Sequence, residues 1–352
     1  MTLLLTNEEV AQVLDMPGSL AALEPVYRDL PVGRAVLRPQ TQTYLPGPLD
    51  GSSYCLKTVE GGGQSLGVMA LRVTSDVLRR EWAGGVERRV KVPTAPGGRY
   101  LGLVLLFSLE HGGLLAILPD GIIQHLRVGA SSALAARAMA RPEARVVGLI
   151  GAGGQARAQL LGLALVRELA EVRVYSPTPE RRRAFAAEMR ERLGIPVEAV
   201  DSARAAVAGA DIVATATNSA TPVLDGEWLA PGMHVGYIRE FEISDAALAR
   251  ADRVVVHTRQ GEIYHHTPVG QEALAELQRG RGLPWDRYPE LADVLAGLAL
   301  GRATADEITL FMNNFGIGIQ FAALGARAYQ GARAAGLGRE LPDDWFLETI
   351  RP

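Results

Sequence analysis

The stretch that decides the fold is residues 146–157, VVGLIGAGGQAR. A strand of apolar residues runs into a loop of the form G-x-G-x-x-A, made of Gly151, Ala152, Gly153, Gly154, Gln155 and Ala156. Gly151 permits the tight turn, Gly153 leaves room for a pyrophosphate, and Ala156 lets the following helix pack closely on the strand. Free N–H groups at the start of that helix favour an anion. The stretch therefore predicts a dinucleotide site.

The composition narrows the class of protein. With 352 residues, 48% of them hydrophobic, the chain is long enough for two domains. A net charge of -3 favours a small-molecule partner over nucleic acid. Three features predict a cytoplasmic protein. Cys55 is the only cysteine, no basic segment precedes the first apolar run, and no apolar run is long enough to span a membrane. No metal is expected, since His265 and His266 are adjacent and would point apart.

The pattern changes about a third of the way along the chain. Residues 8–29 are predicted to form one helix, and strand-rich sequence up to residue 119 indicates an antiparallel or mixed sheet. A helix starting near residue 127 bridges to a second part, in which alternating strands and helices predict a parallel sheet. The residues after about 304 are predicted to be a long helical stretch, interrupted near Asn313, Asn314 and Gly316.

The end of the strand EVRVY (171–175) bears on the choice of dinucleotide. NAD is usually held there by an acid, whereas this chain offers Ser176 and Thr178 and has no acid before Glu180. Hydroxyls, with Arg181 or Arg182, suit the 2′-phosphate of NADP. We therefore expect NADP, with NAD possible; the other interpretation is that the arginines form a solvated helix face.

The stretch ATATNS follows a further strand and would pass beneath the cofactor. Thr217 and Asn218 are the candidates for that contact, although a simple turn would have the same sequence.

Long ordered strings carry a family resemblance: LGVMALRVTSD, GLVLLFSLEHGGLLAILPDGIIQHLRVGASSALAARAMARPEA, the glycine loop, AGADIVATATNSATPVLDGEWLAPGMHVGYI and ADEITLF. Over nearly its whole length the chain resembles the ornithine cyclodeaminase and mu-crystallin family. The resemblance implies a homodimer of α/β chains. In each, a Rossmann-type doubly wound parallel sheet (131–311) is inserted in an α+β substrate-binding and dimerisation domain (1–130 plus 312–352). It also implies hydride transfer between a nicotinamide and Cα of an amino acid or its imine.

The resemblance assigns substrate residues one at a time. Arg127, in QHLRVGASS, corresponds to the family's arginine that grips the substrate carboxylate, and a guanidinium suits that role because its fork donates two parallel hydrogen bonds. The family's second basic position holds Met69 here, so Arg72 or Lys57 is the substitute. Gln40 stands where many relatives carry arginine, and Arg38 is either its replacement or a surface residue.

The loop after MHVGYI departs from the family. Cyclodeaminases have an aspartate there as general base, whereas this chain reads IREFEISD. Glu240 is the candidate base, because a carboxylate at the edge of the pocket is chemically adequate. Arg239 would instead bind a second acidic group on the substrate. An arginine would repel a distal ammonium, which puts ornithine cyclisation in doubt.

The sequence thus predicts an NAD(P)-dependent oxidoreductase acting on an amino acid or imino acid. Two alternatives stay open: a redox-neutral ammonia-lyase of the cyclodeaminase kind, and a binding protein that holds NADP(H) and a small ligand without turnover.

Overall fold

The computed structural model describes residues 1–83, 86–259, 264–266 and 285–349. Its helices are α1 (Asn7–Val13), α2 (Met16–Asp29), α3 (Gly121–Met139), α4 (Gly154–Val166), α5 (Pro179–Leu193), α6 (Ala203–Val207), α7 (Asp245–Ala249), α8 (Leu291–Leu295) and α9 (Gly318–Ala335). Its strands are β1 (Thr2–Leu4), β2 (Ala35–Pro46), β3 (Ser53–Gly63), β4 (Val68–Ala83), β5 (Val86–Val92), β6 (Leu101–Ser108), β7 (Leu114–Pro119), β8 (Val146–Ile150), β9 (Glu171–Tyr175), β10 (Val197–Ala199), β11 (Ile212–Thr215), β12 (His234–Tyr237), β13 (Arg253–Val256), β14 (Tyr264–His266), β15 (Thr309–Met312) and β16 (Arg339–Leu341). Within these residues, no helix combines the length and the apolar character needed to cross a bilayer.

The first sheet is mixed. Its described strands run in the order β14-β2-β3-β4-β6-β7-β1-β16, and β5 pairs with β4. β1 with β7 and β14 with β2 are parallel, and the other pairs are antiparallel. α2, α3 and α9 contribute most of the apolar core that covers one face. β14 lies between β13 and β15 in the sequence yet joins this sheet, so the chain crosses from one sheet to the other and back.

The second sheet is parallel throughout, in the order β10-β9-β8-β11-β12-β15-β13. This confirms the predicted doubly wound α/β fold. Strand order reverses at β8, whose neighbours are β9 and β11. In such sheets ligands bind at the carboxyl ends of the strands beside the reversal. The end of β8 is where the glycine loop begins.

Three predicted elements were wrong in type or extent. The single helix over residues 8–29 is two helices, because the carboxylate of Asp15 accepts a hydrogen bond from Gly18 N and starts α2 afresh. The helix predicted from residue 127 begins at Gly121. Residues 309–312, predicted to be helical, form β15; this strand is buried between β12 and β13, and its continuous apolar run does not distinguish a strand from a helix.

Two helices that meet at glycines join the two sheets. A Cβ on Gly129 of α3 would lie 2.3 Å from the carbonyl oxygen of Ala158 in α4. A Cβ on Gly162 would lie 2.7 Å from the carbonyl oxygen of Gly129. Because neither position has room for a side chain, the two backbones come into direct contact, and α3 is held against the helix that follows the glycine loop.

Candidate active site

The glycine loop leaves open space beside the first turn of α4. Gly151 has a φ of 122°, and a Cβ there would lie 2.3 Å from the carbonyl oxygen of Ala216, so glycine is required. A Cβ built on Gly153, the residue before α4, would meet no described atom within 4 Å. Ala156 is fully buried. The loop therefore has the open approach and the free helix N-terminus that a pyrophosphate requires.

Gln124 connects the glycine loop to Arg127, the residue predicted to bind the substrate carboxylate. Gln155 Nε2 donates to the carbonyl oxygen of Gln124 at 3.4 Å, and Arg127 Nε donates to the side-chain oxygen of Gln124 at 3.4 Å. Ala152 is anchored separately, since its carbonyl oxygen accepts from Arg157 at 3.5 Å. Gly154 lies against the His125 ring, whose Cε1 would be 2.8 Å from a Cβ at that position. The glycine loop and Arg127 are thus close neighbours.

The residues predicted to face the adenosine ribose lie in the loop after β9 and in the first turn of α5. Thr178 precedes α5, but its side chain makes no capping hydrogen bond, and Arg181 is exposed in the first turn. Arg182 turns inward: it donates to the carbonyl oxygen of Ser176 at 3.1 Å and pairs with Asp201. Arg182 thus stabilises the fold of the loop, whereas the Arg181 side chain is exposed.

A buried carboxylate that we did not single out from the sequence holds the loops after β11 and β12. Glu242 is fully buried, and its carboxylate accepts from Thr217 N at 2.5 Å, from Thr215 Oγ1 at 2.9 Å and from the backbone N of both Ile238 and Arg239 at 3.0 Å. Burial raises the pKa of Glu242, and the donated hydrogen bonds oppose that rise. Thr217 is therefore fixed through its backbone just beyond the carboxyl end of β11, and the exposed Asn218 follows it.

Arg127 and Arg72 approach one buried aromatic ring. The guanidinium carbon of Arg72 lies 5.2 Å from the centroid of the Phe321 ring, and that of Arg127 lies 5.7 Å from it. Arg72 is also paired with Asp120 at 2.7 Å. Val68 and Ala70, buried on the same face of β4, show that Arg72 faces the helices rather than solvent. Two cations and one carboxylate leave this cluster with a net positive charge, which favours an anionic ligand.

Arg127 is only 7% exposed. Burial, and then the charge of Arg72, lower its pKa from 12.5 to about 9. The hydrogen-bond acceptors that face its guanidinium among the described residues are the amide oxygens of Gln124 and Gln320. Because both acceptors are neutral, they do not neutralise the positive charge of the buried guanidinium, and that charge favours an anionic ligand.

Lys57 lies further along the same face, away from Arg72. Both lysines of the chain converge on the buried Asp76, with Lys91 Nζ at 2.8 Å and Lys57 Nζ at 4.0 Å from its carboxylate oxygens. The register pairs Lys57 with Thr74, two residues beyond Arg72. Of the two substitutes considered for the missing family lysine, Arg72 is therefore the one in contact with the Arg127 cluster.

The other basic candidate is on the outside of the sheet. Arg38 is exposed and forms an ion pair with Glu60 at 2.5 Å. Met69 points away from the Arg72 face, as strand alternation requires. Arg38 therefore lies on the face of the sheet opposite to Arg72, which favours the interpretation of Arg38 as a surface residue.

The loop after β12 places Glu240 beside an aromatic side chain. Its carboxylate accepts a hydrogen bond from Trp285 Nε1 at 3.0 Å, and it is half-buried. His265 and His266 lie on β14, which pairs with β2, and their side chains are outside the described part of the structure.

This arrangement defines the class of Rossmann-type dinucleotide-binding proteins with a second, substrate-facing sheet. The model of the ornithine cyclodeaminase/mu-crystallin family matches residues 82–333. A putative dehydrogenase of Rhizobium meliloti (strain 1021) is 39% identical over 247 residues, which are 67% of this chain and 72% of the relative.

Two solved structures have a similar fold. The first is the Δ1-pyrroline-2-carboxylate reductase of Thermococcus litoralis in complex with NADH and L-proline, with a TM-score of 0.77, 26% identity and coverage of 97% of this chain and 100% of that one. The second is an archaeal alanine dehydrogenase dimer with bound NAD, with a TM-score of 0.76, 26% identity and coverage of 97% and 99%. The chain belongs to the ornithine cyclodeaminase/mu-crystallin family.

Proposed function

We propose that the protein is an NAD(P)-dependent oxidoreductase that moves hydride between the nicotinamide and Cα of an amino acid or its imine, as a ketimine reductase or an amino-acid dehydrogenase. The observation that carries this proposal is the position of Arg127. It is a buried guanidinium with neutral acceptors, joined through Gln124 to the glycine loop. A substrate carboxylate on Arg127 would lie close to a dinucleotide bound at the loop.

The named relatives support the same chemistry. The Thermococcus litoralis reductase holds NADH together with L-proline, an amino acid whose imine is the substrate in its name, and the archaeal dimer is an alanine dehydrogenase with NAD. L-proline, and the alanine in the name of the second protein, both have a carboxylate next to the carbon that gains or loses hydride.

Each part of the site has a separate task in this proposal. The bound nicotinamide supplies the hydride chemistry. Gly151, Gly153 and Ala156 hold the pyrophosphate, and Arg127 with Arg72 holds the carboxylate, so that orientation is the chain's main contribution to the rate. Glu240 is the proposed group that exchanges a proton with the substrate nitrogen. Its hydrogen bond from Trp285 sets the direction of its carboxylate.

The function is tested with a panel of Δ1-pyrroline-2-carboxylate and of keto acids mixed with ammonia or methylamine, each assayed with NADH and NADPH. We expect steady loss of reduced cofactor with at least one imine. Ammonia release from a diamino acid without net change in reduced cofactor would instead identify a cyclodeaminase. Tight binding of dinucleotide without turnover of any substrate would identify a binding protein.

We propose NADP as the preferred cofactor, with Ser176, Thr178 and Arg181 around the 2′-phosphate. Arg181→Ala should raise the KM for NADPH about tenfold, the effect of losing one charge-assisted hydrogen bond, and leave the KM for NADH unchanged. Arg183→Ala, at an exposed neighbouring position, is the matched control. Equal KM values for the two cofactors in the unaltered protein would contradict the preference.

We also propose a homodimer. The face of the first sheet that the helices leave uncovered carries half-exposed apolar residues on three adjacent strands: Leu71 and Val73 of β4, Leu103, Leu105 and Phe107 of β6, and Ile117 of β7. A continuous apolar face of this kind is typical of a subunit interface, and a twofold axis would pair it with itself. The archaeal alanine dehydrogenase is described as a dimer.

Two further expectations stay proposals. The domain division at residues 131 and 311 is supported by the first sheet, which takes its strands from residues 2–119 and 339–341, with β14 as the exception. A cytoplasmic location is supported by Cys55, a free and buried thiol.

A further inference from the structure

We infer that Gln320 is a positioning residue for the carboxylate site: its neutral amide directs the Arg127 guanidinium at the substrate while leaving the charge of that guanidinium unpaired. The inference rests on the proposed function, because it takes Arg127 as the carboxylate anchor. It is argued from a hydrogen-bond network that joins α2, α3, α9 and the loops after β13 and β15.

The network starts at a carbonyl group, which can only accept. Phe315 O lies 2.5 Å from His257 Nδ1, so this nitrogen carries the proton. Burial, and then the charge of Arg127, lower the pKa of His257 to about 3, so the ring is neutral near pH 7 and its Nε2 accepts. The hydroxyl of Tyr27, 2.5 Å from Nε2, is therefore the donor in that contact.

The next step fixes the orientation of the Gln320 amide. Gln320 Nε2 donates to Tyr27 Oη at 3.1 Å and to Ser131 Oγ at 2.7 Å. Its Oε1 then faces two donors, Ile317 N at 3.1 Å and Arg127 Nη1 at 3.3 Å. A reversed amide would set NH2 against both of these donors. The side chain is fully buried, so the cost of such a mismatch would not be relieved by water.

The backbone around Arg127 completes the enclosure. Ser131 Oγ donates to the carbonyl oxygen of Arg127 at 2.8 Å, and a Cβ on Gly316 would lie 3.1 Å from the guanidinium carbon. The guanidinium is thus held by Gln320 on one side and by the Gly316 backbone on another. The acceptors are amides, and no carboxylate among the described residues lies within ion-pair distance of Arg127.

The effect of having an amide rather than a carboxylate at residue 320 can be tested by substitution. Glutamate has the same shape as glutamine and would still accept from Ile317 N and Arg127, while its second oxygen would face the Tyr27 and Ser131 oxygens, whose protons already go to His257 Nε2 and the Arg127 carbonyl oxygen. That contact lowers the stability of the variant, which its Tm reports separately. The introduced carboxylate would in addition pair with Arg127 and compete with the substrate. A merely structural glutamine would show no such competition.

The experiment compares Gln320→Glu and Gln320→Met with the unaltered protein, using Δ1-pyrroline-2-carboxylate for turnover and L-proline for calorimetric binding in the presence of the oxidised cofactor. We expect Gln320→Glu to raise the KM and the Kd roughly tenfold to hundredfold, the effect of one charge-assisted hydrogen bond, with the KM for the dinucleotide within about twofold of its original value. The KM of this variant should fall again as the pH is lowered and the introduced carboxylate is protonated. Gln320→Met, which keeps the volume, should raise the KM less and show no such pH response.

Gln159→Glu is the matched control. Gln159 is also buried and donates to the carbonyl oxygen of Thr215, but it makes no contact with Arg127. This control should lower the thermal stability and leave the KM for the carboxylate substrate unchanged.

Unchanged carboxylate binding by Gln320→Glu would overturn the inference and leave the proposed function intact. So would loss of dinucleotide and carboxylate binding in equal measure. If the unaltered protein neither turns over the imine nor binds L-proline, the proposed function itself fails, and the inference fails with it.

Discussion

Burial would prepare Arg127 for the carboxylate that we propose it binds. Its guanidinium faces amide oxygens, shares the Phe321 ring with Arg72, and is almost inaccessible to solvent. An exposed arginine would gain little from a carboxylate, because water screens the pair. Here the ligand would satisfy a charge that the fold has already removed from water.

Replacement of Arg127 should separate substrate binding from cofactor binding. Arg127→Ala removes the carboxylate fork, and we expect the substrate KM to rise about a hundredfold, the effect of losing a bidentate charged contact, while the Kd for the dinucleotide stays unchanged. Steady-state kinetics and dinucleotide titration check the two parts. Equal loss of both would show that Arg127 supports the loop rather than the substrate.

The lowered pKa of Arg127 predicts an alkaline limit to substrate binding. Burial and the neighbouring Arg72 lower the pKa to about 9, so the side chain is cationic below that pH and neutral above it. The substrate KM should be flat below pH 9 and rise about tenfold per pH unit above it. Arg72→Gln removes the neighbouring charge and should move the rise to higher pH. A KM that stays constant through pH 10 would contradict the assignment of this pKa.

The sequence predicts the roles of some site residues and not of others. The glycine loop is a local motif, so its geometry follows from contiguous residues. Arg127 required the family resemblance, because an arginine near the start of a helix is not distinctive. Gln320 and Glu242 were missed as site residues, since their partners lie far away in sequence: Gln320 reaches Arg127 across 193 positions. The meeting of Lys57 and Lys91 at Asp76 depends on strand register, which composition does not contain.

At the scale of elements, the contact of α3 with α4 holds the helix that carries Arg127 against the helix that follows the glycine loop. The glycines at the crossing were not predicted to matter, because a glycine inside a helix usually weakens it. The structure gives the physical reason for glycine: the carbonyl oxygens of Ala158 and Gly129 occupy the space that side chains would need. The strand β15 was not predicted because both of its faces are buried. Its residues are therefore apolar without interruption and do not alternate with polar ones, as they do in a half-exposed strand.

Gly129→Ala should therefore separate the helices. The added Cβ would lie 2.3 Å from a backbone oxygen, and overpacking of this kind costs about 1–3 kcal/mol of unfolding free energy. We expect weaker binding of both substrate and dinucleotide, measured as Kd values, in addition to a lower Tm. Gly325→Ala, on α9, is the control, because its Cβ would meet only side-chain atoms, the nearest 3.3 Å away. A stability of Gly129→Ala equal to that of this control would refute the argument.

At the scale of the whole molecule, the uncovered face of the first sheet predicts the state of assembly. Leu105→Arg places a cation among Leu71, Val73 and Ile117 without disturbing the opposite, helix-covered face. We expect light scattering to give the mass of one 37.6 kDa chain for this variant and twice that mass for the unaltered protein. Leu298→Arg, at a leucine that is 67% exposed, should stay dimeric. A dimeric Leu105→Arg variant would place the interface elsewhere.

Buried histidines predict how the whole molecule responds to acid. Burial lowers the pKa of His234 from 6.5 to about 3, so the folded state binds fewer protons than the unfolded state in that interval. The contribution of the neutral His234 ring to the unfolding free energy is therefore complete above pH 6.5. It is lost as the pH falls towards 3, and the unfolding free energy then decreases by about 1.4 kcal/mol per pH unit.

Because Thr309 Oγ1 donates to the carbonyl oxygen of Met139, His234 Nδ1 is the donor to Thr309; His234→Asn keeps an N–H donor in the form of its amide and removes the titration. Its unfolding free energy, from urea denaturation at several pH values, should fall less steeply below pH 6.5 than that of the unaltered protein. The exposed His111→Asn serves as the comparison and should retain the original slope. Parallel curves for all three proteins would show that His234 has no part in acid sensitivity.

The glycine crossing of α3 and α4 also bears on substrate selection. If Arg127 binds the substrate carboxylate as we propose, its distance from the glycine loop depends on the direct backbone contact between α3 and α4. A fixed distance between these two sites would favour ligands whose carboxylate is bonded directly to the reacting carbon. Discrimination among α-imino acids would then depend on the protein residues that contact the side chain of the substrate. Those residues are the ones to vary in directed evolution of a new specificity.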